Sequence, residues 1–335
     1  MILLASVALA QGDASSVSST LRPWKLAFER DGNIWVANGD GTEQKLLLKN
    51  AHSPAWSPDQ KQLAFARNCN LWVTQADGSR QRSLTSQWKQ RRPDMCEIAI
   101  SWNPTQPSIT FSHVELFSVK RAGGTGGISS KKRQRTGLIS GSSIFDIDVR
   151  GKKGKKAAVR FDIFEDGTGF SFSGHSHPAW SRSGQRLASS RNGDIWVAER
   201  EEREDDEDTA PLGWNVTRMA AVASYDEPTM RASRENYGTL HISWSPDEKQ
   251  IAYSIARLQG TGFAEIHVLD IGSREDRKLV SYGYGPVFSS DGKFIVYWTP
   301  LEEDCQGVKV PCICAVSLDG KTKRVLVENA GAPAW

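Results

Sequence analysis

The sequence predicts an all-β protein made of six repeated, four-stranded antiparallel sheets. A short phrase that ends in an aromatic residue recurs six times, and in the first five copies Ser-Pro-Asp or a related turn follows the aromatic residue. The aromatic residues are Trp56, Trp102, Trp180, Trp244, Phe288 and Trp335. Most copies are separated by about 45 residues, the length of one blade of a β-propeller, and two longer intervals indicate insertions. The chain of 335 residues also contains 29 Gly and 14 Pro, and an apolar period typical of helices is almost absent, which argues against a helical bundle.

Within one copy, each element has a local physical reason. Pro58 and Asp59 favour a tight turn after Trp56, and an alternating apolar strand follows over residues 62–66. A second strand over residues 70–74 leads to Asp77-Gly78, where glycine accepts a positive φ. A single sheet cannot bury both of its faces. Six sheets arranged around an axis bury one another, so the repeat predicts a six-bladed β-propeller.

The two chain ends predict how the ring closes. The first copy begins at residues 25–28 and lacks the opening strand that the other copies have. Residues 331–335, Gly-Ala-Pro-Ala-Trp, supply a strand of that kind at the other end of the chain. We therefore expect the N- and C-terminal strands to pair in one shared blade, which leaves no open sheet edge. The predicted propeller domain covers residues 24–335.

The repeat resembles a known one. Trp-Ser-Pro-Asp at residues 56–59, Leu-Trp-Val at residues 71–73 and Asp-Gly at residues 77–78 are together similar to the WD40-like, or PD40, repeat of the TolB family. The resemblance covers residues 24–335 and implies a six-bladed propeller. It does not by itself imply catalysis, because such propellers occur alone, as partner-binding periplasmic modules, and joined to serine peptidases.

The N-terminus predicts export. Residues 1–10 are mainly apolar and end in Ala-Leu-Ala, the small-x-small pattern of a signal peptidase site. Residues 11–23 are expected to be a linker. The mature protein would then be periplasmic or secreted, and no apolar run reaches the roughly 18 residues of a transmembrane helix.

The charge pattern predicts that a polyanion or an acidic partner would bind at one insertion only. The formal net charge is +3, and basic residues are concentrated between residues 120 and 156, including Lys131, Lys132, Arg133 and Arg135. An acidic run at residues 199–208 offsets them. Because the rest of the chain is not basic, we do not expect a nucleic acid partner. We expect a monomer whose partner is a protein or a polysaccharide of the cell envelope.

Four histidines form the candidate site. His52, His177 and His241 each lie three or four residues before the aromatic residue of their blade, and His175 lies two residues before His177. We expect these imidazoles at the mouth of the central channel, on the face where the inner strands begin. The same face is expected to carry the basic insertion and is the predicted binding face. Oligogalacturonate lyases are similar propellers with a histidine-rich metal site, so a divalent ion such as Mn or Ca is one interpretation. The other is that the histidines are polar loop residues and that no cofactor is bound.

Catalytic motifs are scarce. The sequence contains no Gly-x-Ser-x-Gly and no His-Glu-x-x-His. We therefore favour an exported, non-enzymatic binding module of the cell envelope. The alternative is a metal-dependent polysaccharide lyase or hydrolase that uses the four histidines.

Five cysteines are compatible with an oxidising compartment. Their places in the repeat suggest disulfides Cys69–Cys96 and Cys305–Cys312. Cys314 aligns with Trp72 inside a strand and is expected to be a buried free thiol.

Overall fold

The computed structural model describes residues 17–85, 98–120, 136–150, 158–160, 175–191, 194–200, 214–220, 237–257, 264–300 and 310–334. These residues form six four-stranded antiparallel sheets, which confirms the predicted six-bladed propeller. The inner strands of successive blades contact one another around the complete ring.

The blades follow chain order, and each inner strand is given first. Blade 1 consists of β24 (Gly331–Ala334), β1 (Lys25–Arg30), β2 (Asn33–Asn38) and β3 (Lys45–Leu48). Blade 2 consists of β4 (His52–Trp56), β5 (Gln62–Arg67), β6 (Asn70–Gln75) and β7 (Arg82–Ser83). Blade 3 consists of β8 (Ile98–Trp102), β9 (Ser108–Lys120), β10 (Thr136–Asp148) and β11 (Ala158–Arg160).

The other three blades have the same order. Blade 4 consists of β12 (His175–Trp180), β13 (Arg186–Arg191), β14 (Asp194–Arg200) and β15 (Trp214–Ala220). Blade 5 consists of β16 (Tyr237–Trp244), β17 (Gln250–Arg257), β18 (Ala264–Asp270) and β19 (Asp276–Val280). Blade 6 consists of β20 (Tyr284–Phe288), β21 (Phe294–Thr299), β22 (Cys312–Ser317) and β23 (Lys323–Glu328).

The ring closes as the chain ends predict. Strand β24 pairs antiparallel with β1, so that Ala334 lies opposite Ala27 and Gly331 lies opposite Glu29. Trp335 lies outside the described residues. The first and last parts of the chain therefore share one sheet, and the blade would lose its inner strand without the C-terminus.

In blades 2, 5 and 6, the turn after the inner strand is held by a serine and an aspartate. The Ser57 hydroxyl donates to the Asp59 carboxylate at 2.7 Å and accepts from the backbone N–H of Gln62 at 2.9 Å. Ser245 and Asp247 repeat this pair at 2.6 Å. The serine hydroxyls lower the pKa of Asp59 and of Asp247. We call the face that carries these turns the lower face, and the face where the inner strands begin the upper face.

Neighbouring blades are joined through their inner aromatic residues. The indole N–H of Trp102 donates to the carbonyl oxygen of Ala55 on blade 2 at 2.9 Å. The indole of Trp244 donates in the same way to Ala179 on blade 4, also at 2.9 Å. The aromatic rings thus fill the space between blades and also satisfy polar groups of the adjoining inner strand.

A helical turn at residues 17–21 packs on the ring inside the stretch expected to be a linker. Val17 and Leu21 are buried in the apolar cluster that also holds Phe28 and Phe294. The Ser18 hydroxyl donates to Asp40 at 2.8 Å. Burial acts to raise the pKa of Asp40, but hydrogen bonds from Thr42 and Ser18 outweigh it and lower the pKa. Within the described part of the chain, no helix has the length and apolarity needed to cross a bilayer.

Candidate functional site

The six inner strands surround a central cavity of 420 Å³. Its wall includes residues from every blade. Ala55, Ser101, Ala179, Ser243, Val287 and Ala334 occupy equivalent positions in this wall, each directly before the aromatic residue of its blade. This volume lies within the range of small ligand sites. The cavity extends to the turns of the lower face, whereas the sequence analysis placed the site at the upper face.

A left-handed residue recurs near the start of the inner strands. Ser53, His177, His241, Gly285 and Ala332 have φ between 44° and 57°, and each lies three residues before the aromatic position of its blade. The pairing of the inner strand with its neighbour shifts register around each of them. These are β-bulges, which redirect one side chain relative to the strand. Only one of the five is glycine, so the ring holds four residues in a conformation that costs free energy.

The bulge brings two of the predicted histidines together. The ring centroids of His177 on blade 4 and His241 on blade 5 are 5.2 Å apart, with the rings tilted by 57°. His177 is buried and its backbone N–H donates to the hydroxyl of Ser112 on blade 3 at 3.3 Å. His241 is exposed and lies in the cavity wall. The sequence placed both at the channel mouth but did not predict their contact.

The other two histidines are placed differently. His52 lies on blade 2, and its Nδ1 is 3.3 Å from the hydroxyl of Ser53. The backbone N–H of Ser53 donates to the Glu29 carboxylate at 2.6 Å. Burial raises the pKa of Glu29, although the Ser53 N–H and His52 act in the opposite direction. The backbone of His175 pairs with Arg191, and its side chain lies outside the described residues.

Comparisons with known proteins agree with the propeller fold. The family described as the Dipeptidyl peptidase IV (DPP IV) N-terminal region matches residues 30–92. No curated protein matches the sequence. Among solved structures, TolB from Acinetobacter baumannii is similar at a TM-score of 0.60 and 17% identity, covering 94% of this chain and 67% of that chain. A chain of a nidogen/laminin complex is similar at a TM-score of 0.56 and 12% identity, covering 92% of this chain and 97% of that one.

The fold is that of a TolB-type six-bladed propeller. At these identities the likeness concerns the fold, and the site has to be argued from the residues of this chain.

For the metal interpretation, the described residues offer two imidazoles in contact with each other. Among the described residues, no group of three or more His, Cys, Asp or Glu side chains is arranged to hold a metal ion. His177 and His241 are in contact, while His52 lies on another blade beside Glu29. Catalytic metal sites commonly use three protein ligands. The described residues therefore do not fit a resident metal, and we derive no reaction step from one.

In the sequence, the basic cluster predicted to bind an anionic partner falls between two long strands of blade 3. Strands β9 and β10 have 13 residues each, and their pairing continues to Lys120 opposite Thr136. The corresponding strands of blade 2 have six residues, so the blade 3 hairpin extends about 20 Å farther at about 3.3 Å per residue. The remaining predicted residues, Lys131, Lys132, Arg133 and Arg135, lie outside the described residues.

The cysteines of the propeller agree in part with the expectation. Cys314 is a buried free thiol, as predicted. Cys69 and Cys312 are buried and are not free thiols. Their expected partners, Cys96 and Cys305, lie outside the described residues, so both pairings stay predictions.

Trp24 and Arg182 are residues of the cavity wall that the sequence analysis did not single out. Both break the repeat. Arg182 occupies the position that is Pro58, Pro104 and Pro246 in three other blades. A comparison of the lower-face turns, position by position, would have found it.

Proposed function

We propose that this propeller is an exported, non-enzymatic binding module of the cell envelope that holds a protein or saccharide partner at its central channel. The single observation that carries the proposal is the 420 Å³ cavity to which all six blades contribute. A rigid ring with a wall of inner-strand residues offers a preformed site, which lowers the entropic cost of binding.

Two further observations support binding rather than catalysis. The cavity wall contains neither aspartate nor glutamate among the described residues, so a carboxylate acid–base pair has no place in it. The solved structures with this fold include one that is itself a complex of two proteins, nidogen and laminin. The apolar N-terminal residues 1–10 and their Ala-Leu-Ala ending support export.

The experiment uses a variant that fills the channel. Val287 lies in the cavity wall on β20, and Val287→Trp would narrow the channel from blade 6. Val216→Trp is the matched control, because Val216 is exposed on the outer strand β15. Each protein is immobilised and exposed to an envelope extract of the source cells, and retained molecules are quantified by mass spectrometry.

We expect the wild type and Val216→Trp to retain the same partner and Val287→Trp to lose it at least tenfold, provided that all three unfold at similar temperatures. If Val287→Trp retained as much of the partner as the wild type does, the channel would not be the binding site. A variant that lacks residues 121–135 tests separately whether the basic insertion contributes to the partner.

The alternative function, a metal-dependent polysaccharide lyase or hydrolase, rests on the contact between His177 and His241. Its test is elemental analysis of the purified protein, with thermal unfolding before and after dialysis against EDTA. A stoichiometric divalent ion whose removal lowers the unfolding temperature would favour the enzyme. An ion-free protein with an unchanged unfolding temperature would favour the binding module.

A further inference from the structure

The lower mouth of the channel is where the repeat is broken. In blades 2, 3 and 5 the turn after the aromatic residue begins Ser-Pro, Asn-Pro and Ser-Pro, so Pro58, Pro104 and Pro246 line the cavity. Blade 4 has Arg182 at this position. In the part of the chain that the structure describes, Arg182 is the one lysine or arginine of the cavity wall.

The turn that carries Arg182 is held firmly by its neighbours. The backbone N–H and the hydroxyl of Ser183 both donate to the Glu248 carboxylate on blade 5, the hydroxyl at 3.0 Å. Gly184 has a φ of 72°, and a Cβ there would lie 2.8 Å from the Thr105 hydroxyl oxygen on blade 3. Arg182 itself is exposed, and no hydrogen bond or ion pair within the described residues engages its guanidinium. The backbone is thus fixed while the cation remains available to a ligand.

The second break in the repeat is Trp24 on blade 1. Trp24 precedes β1 and lies in the wall where the other blades have a turn. Its indole is 37% exposed, although its backbone is anchored by an N–H bond to the Leu21 carbonyl at 3.1 Å and by a bond from the Gly39 N–H at 2.7 Å. Leu21 belongs to the buried helical turn at residues 17–21. An exposed aromatic ring on a rigid backbone is a common anchor for a partner.

Blades 1 and 4 are opposite members of a ring of six, so Trp24 and Arg182 lie on opposite sides of the mouth. Between them, the wall offers few free polar groups. The hydroxyls of Ser57 and Ser245 donate to their turn aspartates. The hydroxyl of Ser243 accepts from the backbone N–H of Phe288 at 3.0 Å.

We propose that the lower mouth binds an extended acidic peptide segment of the partner, with an Asp or Glu side chain on Arg182 and an apolar side chain on Trp24. This inference rests on the proposed channel-binding function and names the chemistry of its occupant. Arg182 supplies a planar donor pair that suits a carboxylate, and proline- and tryptophan-lined grooves suit extended peptides.

The wall favours a peptide over a saccharide. Each sugar ring presents several hydroxyl groups, and a hydroxyl that loses water without a new hydrogen bond costs free energy. The serine hydroxyls named above are already engaged. Gln60 is engaged as well, because its side-chain carbonyl accepts from the backbone N–H of Lys25 at 3.3 Å. A peptide segment supplies together a carboxylate for Arg182 and an apolar side chain for Trp24, which are the two groups that the mouth leaves available.

The test uses random hexapeptides on beads, acetylated and amidated so that Asp and Glu side chains are their only carboxylates. The wild type, Arg182→Gln and Trp24→Ala are compared. Arg274→Gln is the matched control for charge, because Arg274 is exposed on a turn of the same lower face. Leu46→Ala is the control for loss of an exposed apolar side chain, since Leu46 is 40% exposed on the outer strand β3.

We expect the wild type and both controls to enrich peptides that contain Asp or Glu together with an apolar residue, by about tenfold over their Asn and Gln counterparts. Arg182→Gln should lose the acidic preference and keep the apolar one, and Trp24→Ala should do the reverse. Both residues are exposed, so both variants are expected to fold, and thermal unfolding verifies this.

Two results would overturn the inference: no acidic preference in the wild type, or the same acidic preference in Arg182→Gln. Binding of trigalacturonate that depends on Arg182 would assign the mouth to an acidic saccharide instead. The proposed channel function is tested separately. Val287→Trp can lose the envelope partner whether or not the wild type selects acidic peptides, so the two proposals can fail independently.

Discussion

The imidazole rings of His177 and His241, which belong to neighbouring blades, contact each other with their centroids 5.2 Å apart. Both residues have a left-handed backbone, with φ of 52° and 57°. The contact therefore depends on two β-bulges, one in β12 and one in β16. Each bulge turns its histidine away from the position that a regular strand would give it.

The left-handed backbone at His177 predicts that glycine is more stable than alanine at this position, which is the reverse of the usual order in a strand. Glycine usually destabilises a strand relative to alanine, but a left-handed residue reverses the preference because only glycine adopts this φ without steric cost. We expect His177→Gly to be more stable than His177→Ala by about 1 kcal/mol. Urea unfolding of the two variants measures the difference. Ser254, buried within β17, serves as the control, where Ala should be more stable than Gly.

The buried carboxyl of Glu29 predicts a pH dependence of stability. Burial raises its pKa from the ordinary value of 4.5, so the folded protein holds this proton more tightly than the unfolded chain does. The resulting stabilisation is fully present below pH 4.5 and is lost as the pH rises through the raised pKa. Glu29→Gln keeps a neutral amide at every pH.

We therefore expect the unfolding temperature of Glu29→Gln, relative to the wild type, to increase between pH 4 and pH 7. Thermal unfolding followed by circular dichroism across this range measures it. Glu328→Gln, at an exposed position, is the control and should show no such trend. A constant difference between Glu29→Gln and the wild type would show that Glu29 titrates alike in both states.

Arg67 fastens blade 2 to the loop that enters it. Its guanidinium lies 4.9 Å from the ring centre of Phe65 and 5.5 Å from that of Trp72. It also donates to the carbonyl oxygens of Lys49 at 3.0 Å and Asn50 at 3.4 Å. Lysine cannot stack and bridge two carbonyls in this way, so Arg67→Lys should lower the free energy of unfolding by about 1–2 kcal/mol.

The same arrangement occurs at the seam, where the Arg30 guanidinium lies 5.1 Å from the ring centre of Phe28 and 5.0 Å from that of Trp35. It donates to the carbonyl oxygens of Glu328 at 2.8 Å and Asn329 at 2.9 Å. Arg30→Lys should therefore have a similar effect. Urea unfolding measures both variants. The exposed Arg80→Lys should change stability by less than about 0.5 kcal/mol, and an equal loss in all three would contradict a specific role of the stacked guanidinium.

Because strand β24 closes the ring, we expect the stability of the propeller to depend on residues 331–335. Deleting residues 331–335 removes the partner of β1 and exposes the buried side chain of Ala27. We expect a loss of about 3 kcal/mol or more, because an inner strand and its contacts with two neighbouring blades are removed together. Urea unfolding measures this loss, with Trp335→Phe as the control. A truncated chain as stable as the full one would show that the ring does not need this strand.

Blade number and closure could be predicted because both depend on local features of the chain. The phrase around Trp56 recurs at blade length, and in three blades the turn after it is held within five residues by a serine and an aspartate, as with Ser57 and Asp59. The first copy of the repeat lacks its opening strand, and residues 331–335 match that strand. Both features can be read from the sequence. Hydrophobic periodicity and turn chemistry are properties of residues close in the chain, so they can be recognised from the sequence alone.

The site was harder to predict because it is made by residues that are distant in the chain. Histidine positions indicated a channel mouth, but curvature of the ring and two backbone bulges decide that His177 contacts His241 while His52 lies beside Glu29. Likewise, Arg182 and Trp24 belong to one cavity only because six blades close into a ring that places blades 1 and 4 across from each other. Repeats and turns follow from short-range sterics and solvation, whereas which side chains share a cavity is settled by the packing of all six sheets at once.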